Sequence, residues 1–198
     1  MSSRLSDSRQ RVVGAAAEML AQHGLNATSI REMAKRAEAP LGSTYHHFPG
    51  GKQQVVCEAV AMAGARVQRQ LEEHLRGGLE PGLQGFLALW RQSLLRSDFR
   101  IGCPIMAAAV EEPIDGEAVG ILSAAAEVFE QWKTLLATAL QTHGHTSEGA
   151  AGLATLIIAG VEGAIVMCRA ERSIDAFDKV AGQLQVLCRL AGGLSKLR

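Results

Sequence analysis

The sequence predicts an all-α fold of about nine helices. Apolar residues recur at i, i+3, i+4 spacing along most of the chain. Alanine is abundant and β-branched runs are few, while aromatic residues make up only 4%, a composition that favours helices packed through small side chains. Glycine and proline clusters separate the periodic segments. With 198 residues, the chain can bury a substantial core as one helical unit or two small ones.

Helix 1 is expected from Asp7 to His23, with Val12, Ala16, Met19, Leu20 and His23 inward and Gly24 just past its end. Ser29 followed by Glu32 is a capping box that opens helix 2, whose apolar face is Ile30, Met33, Ala34 and Ala37. Pro40 suits the first turn of a new helix, so helix 3 runs through Gly42–His47 until Pro49-Gly50-Gly51 stops it. Helix 4 spans roughly Lys52 to Leu75. Gly77-Gly78 and Pro81-Gly82 form a break, and helix 5 follows over Leu83–Arg96 with Phe86, Leu87, Trp90, Leu94 and Leu95 buried. A short helix 6 covers Gly102–Glu111, and Pro113 ends it. Helix 7 covers Gly116–His143, with Leu122, Ala126, Phe129, Trp132, Leu136 and Leu140 inside. Helix 8 covers Ser147–Ala170 and helix 9 Ile174–Leu194.

Helix 8 is apolar nearly all round, interleaving Gly152, Ala159, Gly160 and Gly163 with Leu156, Ile157, Val161 and Ile165. Helix 9 carries a stripe of Phe177, Val180, Ala181, Leu184, Leu187, Cys188 and Ala191. Together they leave a large apolar face, which a second copy of the chain would cover as a twofold four-helix interface. The alternative is that both simply complete the core of one chain.

Lysine plus arginine equal aspartate plus glutamate, 20 against 20, which excludes a globally basic protein. The charge is unevenly placed, however: residues 1–52 carry seven basic and four acidic side chains. A basic end on an acidic body suits a duplex-binding head. Cys57, Cys103, Cys168 and Cys188 have no C-x-x-C spacing, and the histidine pairs 46/47 and 143/145 lack the i, i+4 spacing of two ligands on one helical face. No metal site, disulfide framework or cofactor is expected. The start of the sequence is polar and charged, unlike a secretory signal, and the longest apolar run, Leu153–Cys168, contains Glu162 and is too short for a membrane span. A cytoplasmic protein that does not enter a membrane is expected.

The outward residues of helix 3 are small, hydroxylated, aromatic or imidazole, groups that can approach base edges and donate to phosphates. The segment Thr28–Lys52, TSIREMAKRAEAPLGSTYHHFPGGK, resembles the DNA-binding half of the TetR family of transcriptional regulators. Gly42–Lys52 and GCPIMAAAVE, Gly102–Glu111, are similar to its LmrA/YxaF-like subgroup. The resemblance implies a three-helix helix-turn-helix head at 1–52 and a ligand-binding and dimerisation body at 53–198. It implies a homodimer through helices 8 and 9, a double-stranded DNA operator, and release by a small apolar or aromatic effector. Carried over position by position, Gly42, Ser43 and His46 would face bases, while Thr28, Tyr45, His47 and Lys52 would hold phosphates. The subgroup usually has Lys or Arg where this chain has Leu41, which could touch a thymine methyl instead. Phe48 is expected to be a packing residue.

In the body, bulky residues beside many Ala and Gly can leave a cavity. Phe86, Trp90, Phe99, Met106, Val110, Phe129, Trp132, Ile165, Val166 and Met167 are candidates to line it, with Glu162 and Glu111 as polar anchors. Cys103, at a helix start, belongs either to this lining or to a thiol sensor. Three other function classes are weighed: a thiol-sensing regulator acting through Cys103, a helical enzyme, and a ligand-binding protein without operator binding. The enzyme reading lacks a base within any recognisable motif.

Overall fold

The computed structural model describes residues 2–114 and 119–194. Among the described residues are nine α-helices and no strand: α1 (Ser2–His23), α2 (Ile30–Arg36), α3 (Leu41–His47), α4 (Gly51–Leu75), α5 (Leu79–Arg96), α6 (Pro104–Val110), α7 (Val119–Thr142), α8 (Ser147–Glu171) and α9 (Asp175–Leu194). Gly116, the expected start of helix 7, lies outside the described residues, as does the side chain of Ala191.

The chain forms two compact units, one of residues 1–65 and 103–128, the other of 66–102 and 129–198. Helices α4 and α7 each supply residues to both. In the first unit α1 is the central element, packed against α2, α3 and α6. Val12, Ala16 and Leu20 of α1 are buried with Met33 of α2, Val55 and Val56 of α4, and Ile105 and Ala108 of α6. Gly64 of α4 lets α7 come close, since a Cβ there would press to 2.5 Å from Val128 Cγ2. In the second unit α8 packs on α9, and α5 packs on both. Its core includes Phe86, Leu94, Trp132, Leu136, Ile157, Val161 and Phe177.

Several local expectations are revised. His23 and Leu95 are exposed rather than inward, because each falls beyond the arc of its helix that meets a neighbour. The inner stripe of α7 begins with Ile121, Ala125 and Val128, so Leu122 and Ala126 point outward. The expected double break before α5 is a single one. Its first residue is Leu79, and Pro81 sits in the first turn, where a missing N–H removes no intrahelical bond. Thr146 caps α8 by accepting from the Gly149 N–H at 3.1 Å.

Helix α8 is long and apolar enough, by composition, to cross a membrane. Its Ala150, Ala154, Ile157, Val161, Ile165 and Cys168 are instead buried within the second unit. The opposite side leaves Gly152, Leu156, Ala159, Gly163, Val166 and Met167 exposed.

Candidate nucleic-acid interface

The first unit builds a helix-turn-helix from its most local signals. The Ser29 oxygen accepts from the Glu32 N–H at 3.2 Å, and its hydroxyl donates to Glu32 Oε2 at 3.1 Å, satisfying the start of α2. The Ala39 N–H donates to Ala34 O at 2.9 Å, and Glu38 takes a left-handed conformation with φ 51 that turns the chain. Arg11 reaches from α1 and donates to the Ala37 carbonyl at 3.0 Å. Pro40, at the N-cap, then starts α3.

One side of α3 is anchored. Thr44 is buried, and its hydroxyl donates to Pro40 O at 3.1 Å. Phe48 is fully buried as expected, with the Arg9 guanidinium 5.1 Å from its ring centroid and held by Glu58 at 2.7 Å. That anchoring turns Gly42, Tyr45 and His46 to solvent and leaves Leu41, Ser43 and His47 half-buried. Tyr45 is 51% exposed. A Cβ added at Gly42 would meet nothing within 4 Å, so that position is open to close approach. His46 and His47 stand with ring centroids 5.8 Å apart, and the buried His47 Nε2 has no partner among the described residues. Lys52 lies half-exposed in the first turn of α4.

Thr28 is placed differently from the other candidates. It is only 3% exposed, and its hydroxyl donates to Leu25 O at 2.7 Å. The exposed side of α2 carries Arg31 and Lys35 one turn apart, whereas Arg36 is paired with Glu18 at 3.3 Å. This i, i+4 basic pair is a local signal in the sequence that a total charge conceals.

The candidates for an effector site divide between the two units. In the second, Phe86, Trp90, Phe129 and Trp132 form one edge-to-face cluster. The Trp90–Trp132 centroids are 6.3 Å apart, and the buried Trp90 Nε1 has no acceptor among the described residues. Glu162 is buried at 8% exposure, with Ile165 buried beyond it and Val166 and Met167 exposed. Phe99 sits half-exposed in a turn with φ 56. In the first unit, Cys103 is the buried N-cap of α6, Met106 is half-exposed, and Val110 is 69% exposed. Glu111 does not reach a cavity: both its carboxylate oxygens bind the backbone of the head, at Leu25 and Asn26. A shallow depression in the second unit is lined by Leu79, Leu83, His143 and Cys188, none of them a sequence candidate.

Three of the thiols offer little nucleophile. Burial raises the Cys57 and Cys168 thiols and pushes Cys188 up to about 11, so all three stay protonated at neutral pH. Among the described residues no cluster of three or more His, Cys, Asp or Glu could hold a metal ion.

Comparison with known proteins agrees with this geometry. The model of bacterial regulatory proteins of the tetR family matches residues 12–59, and that of the LmrA/YxaF-like transcriptional regulator C-terminal domain matches residues 81–183. An uncharacterised HTH-type transcriptional regulator of Mycobacterium tuberculosis is 40% identical over 182 residues, covering 90% of this chain and 93% of that protein. The HTH-type transcriptional regulator LmrA of Bacillus subtilis is 27% identical, over 81% of this chain and 86% of its own. A TetR transcriptional regulator from Legionella pneumophila superposes with a TM-score of 0.79 at 21% identity, covering 88% of this chain and 93% of that one, a likeness of fold. The helix-turn-helix with hydroxyl, aromatic and imidazole groups on α3, matches across both halves and the 40% identical relative agree: this chain belongs to the TetR family of DNA-binding transcriptional regulators, in its LmrA/YxaF-like group, and is not an enzyme.

Proposed function

We propose that the protein is a homodimeric cytoplasmic repressor that a small apolar or aromatic compound releases from its operator. The observation that carries the effector reading is the aromatic cluster of Phe86, Trp90, Phe129 and Trp132, in which the buried indole N–H of Trp90 has no acceptor among the described residues. A buried donor left unmet costs about 1–3 kcal/mol, and a ligand that accepts from it recovers that cost. The exposed apolar side of α8 supports the dimer. With residues 1–52 as the head and 53–198 as the effector and dimer body, an effector bound in the body shifts α4, which runs from one to the other as a single 25-residue helix. The two α3 helices then no longer match successive major grooves about 34–36 Å apart.

On the operator, α3 enters the major groove. Gly42, Ser43 and His46 face base edges, and Leu41 lies against a thymine methyl. Tyr45, His47 and Lys52 hold phosphates, joined by Arg31 and Lys35 of α2. Thr28 serves from inside, holding the turn that precedes α2. Lys52→Ala should weaken binding to every duplex and lower the salt slope by about one contact. Tyr45→Ala should also weaken all duplexes, whereas His46→Ala should relax discrimination between operator variants. Anisotropy titrations over a salt series decide this, and unchanged affinity in all three would misplace α3.

A screen of aromatic compounds tests the switch. A releasing compound should quench the fluorescence of Trp90 and Trp132, and operator should weaken its binding by the same factor that it weakens operator binding. Trp90→Phe should weaken the compound and leave operator binding of the free protein intact. Release by peroxide and by no organic compound would overturn this reading in favour of a thiol sensor at Cys103.

A further inference from the structure

The α1–α2 corner of the head is fastened by residues more than eighty positions away. Glu111, the first residue after α6, turns its carboxylate onto two consecutive backbone amides. Leu25 N–H donates to Oε1 at 3.0 Å, and Asn26 N–H donates to Oε2 at 2.9 Å. Asn26 returns the grip with its side chain. Its Nδ2 donates to Glu112 O at 2.9 Å, and its Oδ1 accepts from the Ile114 N–H at 3.1 Å. Four hydrogen bonds thus join residues 25–26 to residues 111–114, all within the first unit. Gly24 makes the fit possible: its φ is +82, and a Cβ there would overlap Glu111 Oε1.

The place of this clasp matters more than its strength. Leu25 and Asn26 are the residues on which α1 gives way to α2. Leu25 O in turn receives both the hydroxyl and the amide of Thr28, one residue before the Ser29 cap. A shift at the corner therefore moves the start of α2, and with it the helix pair that meets DNA. The two amides just past the end of α1 have the Glu111 carboxylate as their acceptor among the described residues, and a carboxylate forms stronger bonds to them than a neutral acceptor would.

We infer that Glu111 is a positioning residue for operator binding, clasping the α1–α2 corner through Leu25 and Asn26 so that α2 and α3 are presented in one orientation. This rests on the family's DNA-binding function and on no assumption about the effector. Full-length Glu111→Gln tests it, because the new amide nitrogen would face one of the two N–H donors and leave it unmet. Asn26→Ala is the second variant, removing the other two bonds and keeping the carboxylate. The probe is a duplex selected from a random-sequence pool by the wild-type protein, titrated over a salt series. The Kd should rise about tenfold for Glu111→Gln and about threefold for Asn26→Ala, with the salt slope unchanged. The double variant should lose less than the product, since both substitutions open one clasp. Exchange of the Leu25 and Asn26 amides should accelerate at least tenfold, while Leu20 and Val55 keep their protection. Unchanged Kd in both variants would overturn the inference. So would a loss of affinity matched by a shallower salt slope, or faster exchange throughout the first unit.

Discussion

Trp132→Ala should destabilise the protein by about 3–5 kcal/mol, the range for emptying a large buried aromatic site. Trp132 is fully buried, and its ring meets three others edge to face: Phe86 at 6.2 Å, Trp90 at 6.3 Å and Phe129 at 5.9 Å. Such pairs contribute about 0.5–1.5 kcal/mol each beyond the area they bury, so removing the shared partner loosens all of them. Urea unfolding followed by circular dichroism measures the change. A loss under about 1 kcal/mol would mean that the cluster collapses around the gap, and that the rings are less constrained than their geometry implies.

Leu156→Arg should convert the protein to a folded monomer and reduce operator affinity by about a hundredfold or more, because two linked heads gain that order of avidity over one. Leu156 is 47% exposed, and Gly163, two turns along, has nothing within 4 Å of where its Cβ would stand. The pair marks a side of α8 that is free within one chain. Gly163→Leu should act in the same direction by blocking close approach. Leu184→Arg, equally apolar in sequence terms, should behave otherwise. Leu184 is 3% exposed and lies against Gly160, so a charge there breaks the packing of α9 on α8 before it reaches any interface. Sedimentation velocity with a helicity measurement separates the two outcomes. Leu156→Arg remaining dimeric at micromolar concentration would refute the α8 interface.

Much of the architecture was legible because its signals are local. Ser29 and Glu32 state the start of α2, Pro40 that of α3, and helical spacing identifies the long elements. Register was less legible where the spacing is degenerate. In α7, Ile121 and Leu122 are both apolar and Ala124, Ala125 and Ala126 are identical, so the sequence does not say which arc is inward. The same degeneracy hid the difference between Leu184, which is buried, and Leu187, which is 39% exposed. Part of the outward face of α3 could be read because Phe48 marks its packed end, whereas the buried Thr44 looks in sequence like its outward neighbours. Thr28 could not, since a hydroxyl serves a carbonyl as readily as a phosphate. The Glu111 clasp was illegible for a different reason. It joins side chain to backbone across a long stretch of chain, and backbone amides carry no sequence signature.

The edge-to-face pair of Trp90 and Trp132 has an optical consequence. Two indoles with centroids 6.3 Å apart and planes inclined at 63° share their electronic excitations. Coupled transitions of this kind split into a pair of bands of opposite sign in circular dichroism, with an amplitude that falls steeply with separation and depends on the angle. As these are the chain's only tryptophans, no third indole contributes to the signal. A rotation of one ring against the other would change the sign or size of that couplet without altering helix content, so the geometry of the aromatic cluster can be followed in solution without a label.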